Sequence, residues 1–234
     1  MIPSRDLIRL QRFYGAVASD QNRDILRHVA GRNILELGCG YGTFVQEAKA
    51  NGRVVFGLDL DLRTLRTGSK IYPLVKGNLI QGDMERLPFK EKAFHTILLR
   101  ESLHHVSWEK ILPEILRICK REILIFEPNP NGFLRFCRRI ISHQDQEVPL
   151  EPLLALLKRN GVAVKGIYFR DLFAFPLSGG FVGWELIPPV RILFPFLLRA
   201  DRILHSLFCL LRMERAVSWR YLVKGVKNEA EEKK

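Results

Sequence analysis

The sequence predicts an α/β protein built on a doubly wound, largely parallel sheet, and three observations lead to that prediction. Short apolar runs alternate with longer amphipathic segments along the first half of the chain. The apolar runs are continuous, which is typical of parallel strands buried on both faces. The intervening segments, such as 42–50 and 108–119, carry apolar residues at helical spacing, as crossover helices do.

Seven strands follow from this pattern. A helix over 151–160, with Pro152 in its first turn and Gly161 just past its end, leads into the sixth. The predicted strands are residues 33–37, 54–59, 78–82, 96–99, 123–127, 162–169 and 219–226.

The domain organisation is a single domain over residues 1–234 that carries one long insertion. A hydrophobic fraction of 47% is enough to build a core and argues against a disordered chain. The insertion, Arg170 to Ser218, is rich in Phe, Leu and Pro and far exceeds an ordinary connection, which predicts a lid or a membrane-surface element. Residues 228–234 are expected to form a frayed tail.

Charge and composition limit the partners and the location. The formal charge of +12 suits an anionic membrane, a nucleic acid or a phosphorylated substrate without choosing among them. Four scattered cysteines predict neither a disulfide framework nor a zinc site, and we expect no metal. The start lacks a secretory signal, and prolines and charges interrupt the apolar stretch 172–211, so we expect a cytoplasmic protein without a spanning helix.

A glycine-rich turn carries the strongest chemical signal. Gly38, Gly40 and Gly42 follow the first strand at once, and glycines there let a ligand approach the backbone. A dinucleotide fingerprint requires a glycine where Thr43 stands, which weakens an NAD interpretation. The second strand ends at Asp59, where a carboxylate can accept ribose hydroxyl bonds.

Four segments taken together resemble the class I S-adenosylmethionine-dependent methyltransferases, in particular the type 11 group that contains many small-molecule, quinone and lipid enzymes. The resemblance covers roughly residues 10 to 170 and implies a Rossmann-like sheet of seven strands whose last strand is antiparallel. The segments are Leu35-Glu-Leu-Gly-Cys-Gly-Tyr-Gly42, Val55-Phe-Gly-Leu-Asp59, Gly82-Asp-Met-Glu-Arg-Leu-Pro-Phe89 with Phe94, and Leu103-His-His-Val106.

The resemblance also implies the cofactor, S-adenosyl-L-methionine, and the residues that hold it. The methionine part is assigned to Glu36 and the backbone of Gly38, Cys39, Gly40 and Gly42. The ribose hydroxyls are assigned to Asp59, the adenine face to Leu60, and the adenine edge to Asp83 and the Met84 backbone.

His104 and His105 follow the fourth strand and are candidates for a catalytic base. Imidazole titrates near neutrality, so either residue could take a proton from an attacking hydroxyl or amine. The competing interpretation is that the pair shapes the loop, because it occurs in the resembled family whatever the substrate.

Two amphipathic segments suggest the substrate class. In 196–212 and in 133–141, arginines lie beside broad apolar faces, which suits a helix in an anionic lipid interface. The competing interpretation is that these helices pack on the domain, cap the site or pair with another subunit.

The predicted function is methyl transfer to a hydrophobic small molecule, a lipid or a lipid-linked precursor, by a protein that could bind peripherally to a membrane. RNA methylation is a weaker alternative, because the fourth strand leads into Arg100-Glu-Ser-Leu-His104 and lacks the Asn/Asp-Pro-Pro-aromatic motif of base amino methylases. A non-catalytic, membrane-associated protein that binds the same cofactor is the third. The sequence leaves the acceptor atom, the pathway and the oligomeric state open.

Overall fold

The strands form one seven-stranded sheet in the order β3-β2-β1-β4-β5-β7-β6. In the computed structural model, which describes residues 8, 10–130, 147–180, 186–188 and 190–228, β7 is antiparallel to both its neighbours and the other pairs are parallel. The strands are β1 (Asn33–Leu37), β2 (Val54–Asp59), β3 (Leu79–Gln81), β4 (Phe94–Arg100), β5 (Cys119–Pro128), β6 (Val162–Arg170) and β7 (Arg220–Lys227).

Helices cover both faces of this sheet. Successive strand residues point to opposite sides, so a continuous apolar strand has apolar side chains to bury on each face. In β4, Ile97 and Leu99 pack in one apolar cluster, while Leu98 between them packs in the other. The helices are α1 (Phe13–His28), α2 (Thr43–Ala50), α3 (Leu62–Ile71), α4 (Trp108–Ile118), α5 (Leu150–Arg159), α6 (Ala174–Leu177), α7 (Phe194–Leu210) and α8 (Glu214–Val217), with short 3₁₀ turns at Pro73–Val75, Leu103–His105 and Arg191–Leu193.

The insertion leaves and rejoins the sheet at the carboxyl edge of the parallel strands. Arg170, the last residue of β6, lies opposite Arg220, the first residue of β7, and Arg220 pairs in turn with Pro128 at the end of β5. Its longest element, α7, packs on α1, with the rings of Phe13 and Phe194 4.9 Å apart between centroids.

The observed topology confirms the predicted fold, including the antiparallel last strand. Each predicted strand is present with bounds shifted by at most four residues, and a helix occupies 194–210. The amphipathic segment 133–141 and all of the predicted tail beyond Asn228 lie outside the described residues. Among the helices that the structure describes, none is both long and apolar enough to cross a bilayer.

Candidate functional site

The sheet topology brings the predicted cofactor residues to one edge. Because β3, β2, β1 and β4 are consecutive neighbours and parallel, their carboxyl ends lie side by side. Ligands of open α/β sheets bind at this edge. The glycine turn follows β1, Asp59 ends β2, Asp83 follows β3, and Arg100 ends β4.

The glycine turn needs its glycines for two different reasons. Gly38 has φ 73°, and a Cβ there would stand 2.6 Å from the Cβ of Ser102, so close packing excludes a side chain. Gly40 has φ 53°, and a Cβ there would meet no atom within 4 Å. The turn therefore packs tightly against Ser102, just past the end of β4, and faces open space at Gly40.

Cys39 contributes only its backbone to this turn. Its side chain is buried, and the Sγ atom would be 2.6 Å from a Cβ at Gly57. Burial raises the pKa of the Cys39 thiol far above its ordinary value, with Glu36 and Asp59 adding to the effect. Cys39 is thus a core thiol rather than a reactive group.

Asp59 uses one carboxylate oxygen to brace the glycine turn and the other to hold the start of α3. Its Oδ2 accepts a hydrogen bond from the Gly40 backbone N–H at 2.7 Å, and its Oδ1 accepts one from the Asp61 N–H at 2.9 Å. Leu60, the next residue, is 69% exposed although it is a large apolar side chain. A flat apolar ligand group laid on Leu60 would cover it.

Asp83 and Met84 are placed beside these residues. The Asp83 Oδ1 accepts a hydrogen bond from the Glu85 N–H at 2.8 Å, which fixes the carboxylate at the end of β3. Met84 packs partly into the core, and its Cε lies 3.5 Å from the Cβ position of Gly38.

A cavity of about 220 Å³ opens next to the glycine turn. Its lining combines the turn with α1 and with the end of β4, whereas Asp59, Leu60, Asp83 and Met84 lie outside it. The lining includes Tyr14 and Ala18 of α1, Gly38 and Gly40 of the turn, and Arg100 and Glu101.

Arg100 and Glu36 form a buried ion pair at the base of this cavity. The Arg100 Nε donates to the Glu36 Oε1 at 3.0 Å, and one of its terminal nitrogens donates to the Thr43 hydroxyl at 3.2 Å. The other Glu36 oxygen, Oε2, is buried and has no hydrogen-bond partner. Burial raises the pKa of the Glu36 carboxyl to about 7 against the attraction of Arg100.

A second pair ties the cavity to the insertion. Arg220 forms an ion pair with Glu101, and its guanidinium carbon lies 3.6 Å from the centre of the Phe175 ring. Burial raises the pKa of the Glu101 carboxyl, but Arg220 and Arg100 outweigh it and hold the pKa below its ordinary value. Glu101 is therefore charged and already neutralised by its neighbours.

The two candidate histidines have different surroundings in the structure. The His104 Nδ1 lies 2.6 Å from the Oε2 of the buried carboxylate of Glu127. The other Glu127 oxygen accepts the backbone N–H groups of Ser102 and Leu103, both at 2.9 Å. His105 is exposed, and its ring contacts that of His104 in a tilted arrangement with 4.1 Å between centroids. Only His104 is held by a fixed carboxylate.

Sequence reasoning missed several of these residues. Glu127 ends the predicted fifth strand and Arg100 comes directly after the predicted fourth, so their positions at the ligand edge could have identified them. Tyr14 could not be found in this way, because nothing in the α1 sequence shows that this helix lies over the glycine turn. Within the described residues, no three His, Cys, Asp or Glu side chains are grouped to hold a metal ion.

Comparison with known proteins points to one family. The family model described as "Methyltransferase domain" matches residues 35–126, from the middle of β1 to near the end of β5. A phthiotriol/phenolphthiotriol dimycocerosates methyltransferase of Mycobacterium ulcerans is 25% identical over 169 residues, 64% of this chain and 59% of that protein. A fatty-acid O-methyltransferase of Mycolicibacterium smegmatis is 30% identical over 95 residues, 39% of this chain and 35% of that protein.

Solved structures agree in fold. Magnesium protoporphyrin IX methyltransferase from Synechocystis, solved with bound SAH, superposes with a TM-score of 0.64 at 12% identity, covering 96% of this chain and 95% of that one. Geranyl diphosphate C-methyltransferase from Streptomyces coelicolor gives 0.65 at 16% identity, covering 90% and 79%. At such low identity the likeness concerns the fold, and the chain spans only about six-tenths of the first curated relative.

Proposed function

We propose that the chain is a class I S-adenosylmethionine-dependent methyltransferase, the family it resembles, and that it methylates a lipid or another hydrophobic small molecule at an anionic membrane surface. The observation that carries this proposal is a row of exposed apolar side chains on α7, next to the cofactor edge of the sheet.

The residues at that edge fit the cofactor. Asp59 can accept the ribose hydroxyls while bracing Gly40, exposed Leu60 can cover the adenine face, and Asp83 can accept the adenine amino group beside the Met84 backbone. The open space at Gly40 leaves room against the backbone. For the methionine part, we assign the ammonium to the unpartnered Glu36 Oε2.

Proton removal is assigned to His104. The cofactor supplies a methyl group already activated by its sulfonium, so the protein mainly positions and deprotonates the acceptor. Glu127 engages Nδ1 of His104, and we assign the proton exchange with the acceptor to Nε2. His105 lacks such a carboxylate partner, and we assign it no role in the proton transfer.

The apolar row on α7 indicates the acceptor class. Phe196, Ile203, Leu207 and Leu210 follow one another at helical spacing and are 67%, 64%, 50% and 79% exposed. They lie opposite the side that buries Phe194, so the helix is apolar on its outer as well as its inner face. A continuous exposed apolar surface of this kind is typical of a lipid or protein contact.

The charges around this row favour an anionic lipid surface. Arg191, Arg199 and Arg212 are exposed, and no described residue forms an ion pair with them. The only acidic residue between 190 and 213 is Asp201, which is buried and accepts backbone N–H groups at 2.8 Å from Phe173 and Ala174. Because residues 190–213 contain no exposed carboxylate to pair with these arginines, this stretch of a second copy would repel the first.

The position of α7 relative to the cavity connects membrane and chemistry. α7 packs on α1, and α1 supplies Tyr14 and Ala18 to the cavity wall. The insertion also lies at the carboxyl edge of the sheet, where the methyl group would be presented. A lipid acceptor could therefore enter from the bilayer without crossing the domain.

The relatives' names point in the same direction. They specify a phthiotriol dimycocerosate, a fatty acid and geranyl diphosphate, all largely hydrocarbon. This supports the acceptor class and leaves the acceptor itself open.

The activity is tested by incubating the purified protein with methyl-labelled S-adenosylmethionine and total cell extract, then separating organic, aqueous and RNA fractions. We expect label in the organic phase, at a rate that falls in His104→Ala. Label in RNA alone would overturn the proposal in favour of an RNA enzyme. Confirmed cofactor binding without label in any fraction would favour a non-catalytic protein.

Membrane docking is tested by flotation with vesicles of phosphatidylcholine alone or mixed equally with phosphatidylglycerol. We expect flotation with the mixed vesicles at low salt and about tenfold weaker binding for Arg199→Gln with Arg212→Gln. The matched control, Lys158→Gln with Arg159→Gln, removes the same charge at the opposite edge of the sheet and should float like the wild type.

The apolar contribution is tested in the same assay. Ile203→Ser with Leu207→Ser should abolish flotation, whereas the exposed pair Val54→Ser with Leu74→Ser should leave it intact. Light scattering measures the oligomeric state of the wild type and of the Ile203→Ser with Leu207→Ser variant. If the wild type does not float and is a dimer, and the variant is a monomer, α7 is a dimer interface and the membrane surface is ruled out as its partner.

A further inference from the structure

Arg100 is a charged residue at the cavity, and we assign it no role in holding the glycine turn or in removing the proton. It ends β4, lines the cavity with Gly38 and Gly40, and its side chain is largely buried. Burying a guanidinium is costly unless its donors are satisfied. Two partners satisfy only part of the group, namely the Glu36 carboxylate and the Thr43 hydroxyl.

A guanidinium carries five N–H donors in a planar fork, which matches the two oxygens of a carboxylate. The two hydrogen bonds that Arg100 makes use Nε and one terminal nitrogen, so donors of the terminal nitrogens remain. These donors belong to a residue that lines the cavity, whereas Glu36 behind it is fully buried. The group that presents charge to a ligand here is therefore Arg100.

The surrounding charges also favour an anion at this point. Glu101 lines the same cavity, but Arg220 pairs with it and cancels its charge. The pKa of Arg100 is lowered by burial but raised more by Glu36 and Glu101, so the guanidinium stays charged.

We propose that Arg100 binds the carboxylate of the methionine moiety of the cofactor, and that Glu36, through Oε1, is the positioning residue that aims Arg100 into the cavity. The inference rests on the proposed function, because it takes S-adenosylmethionine as the ligand.

The test compares three ligands by calorimetry: S-adenosylhomocysteine, its decarboxylated analogue, and 5′-methylthioadenosine, which lacks the whole amino-acid group. In Arg100→Gln we expect S-adenosylhomocysteine to bind about tenfold or more weakly, because a charge-assisted hydrogen bond is lost. The other two ligands should bind within about twofold of their wild-type affinity. Arg100→Lys, which keeps the charge but not the fork, should give an intermediate loss.

Arg27→Gln is the matched control, since it removes one positive charge from an exposed position on α1, the helix that forms part of the cavity wall. It should change none of the three affinities. Far-ultraviolet circular dichroism and thermal melting establish that each variant is folded, and Arg100→Lys carries the test if Arg100→Gln is not.

Two results would overturn the inference. One is an equal loss for all three ligands in Arg100→Gln, which would give Arg100 a purely structural role. The other is wild-type protein that binds the decarboxylated analogue as tightly as S-adenosylhomocysteine. Failure of the proposed function looks different, because 5′-methylthioadenosine would then not bind even to the wild type.

Discussion

Helices α4 and α7 are both amphipathic, yet α4 packs on the sheet and α7 packs on α1, and they use their apolar residues in different ways. α4 has eleven residues and buries six of them. α7 has seventeen, is the more hydrophobic of the two, and buries only Phe194 and Asp201. Apolar content therefore does not predict burial, which depends on whether a facing surface exists.

The attachment of α7 explains the difference. α4 packs Ile111, Leu112 and Ile115 into the main apolar cluster of the sheet. α7 is held instead by specific contacts: the Phe194 ring on Phe13, and Asp201, whose carboxylate accepts three backbone N–H groups at the start of α6. These contacts fix how the helix is turned and leave its apolar row facing outwards.

The largest expected effect is on the rate of catalysis, and it tests whether proton removal depends on the packed sheet region and not on α7. His104→Gln should lower kcat by about 10²–10⁴-fold, because a general base contributes that much to a proton transfer. Cofactor affinity should stay near the wild-type value, since His104 is not assigned to the cofactor. Single-turnover rates and calorimetry measure the two quantities.

His105→Gln is the control for that variant, because its exposed ring contacts His104 without a carboxylate partner. It should retain most of the turnover. Equal losses in both variants would show that the pair shapes the loop and would remove the base from the mechanism.

The next expected effect is on stability, and it compares the loss of a buried leucine with the loss of an exposed one. Leu153→Ala on α5 removes a fully buried side chain from the main cluster and should cost about 2–5 kcal/mol of unfolding free energy. Leu207→Ala on α7 removes a half-exposed one and should cost less than about 0.5 kcal/mol. Urea unfolding measures both. A large cost at Leu207 would mean that the apolar row is packed in solution.

The fold was predictable because its signals are local. Continuous apolar runs fixed β1, β2 and β5 to within a few residues, and the resemblance supplied the antiparallel β7. The exposed face of α7 was not predictable, because hydrophobic periodicity is the same whether a face is buried or waits for a partner.

The positions of the candidate site residues in the fold were predictable to the same extent. Gly38, Gly40, Asp59 and Asp83 lie at consecutive strand ends, as the resemblance implied. The partners of Glu36 and His104 required coordinates, because both contacts join residues more than twenty positions apart.

A moderate loss of ligand affinity is expected at Asp59, whose carboxylate both braces Gly40 and is assigned to the ribose hydroxyls. Asp59→Ala should weaken S-adenosylhomocysteine and 5′-methylthioadenosine alike, by about 10- to 100-fold, because both carry the ribose. This distinguishes Asp59 from Arg100, whose loss should spare 5′-methylthioadenosine. Asp61→Ala, which removes the carboxylate that caps α3, is the control and should leave both affinities unchanged. Unchanged affinity in folded Asp59→Ala would remove Asp59 from the site.

The smallest expected effect is a pH-dependent change in the stability of α7 that β4 does not share. Burial lowers the pKa of His205 on the inner side of α7; Arg170 also lowers it, while Asp201, Asp171 and Glu214 oppose the shift. The folded state thus binds fewer protons than the unfolded state near pH 6.5, so the stabilising contribution is complete above that pH and is lost as the pH falls.

Hydrogen exchange can resolve this loss. Between pH 7 and pH 5, protection factors of the α7 amides should fall by less than about tenfold, since His205 is only half-buried, while those of β4 stay constant. His205→Gln should flatten the change in α7. A parallel fall in β4 would mean that the two regions unfold as one unit, and the contrast between a packed core and a separately held α7 would no longer stand.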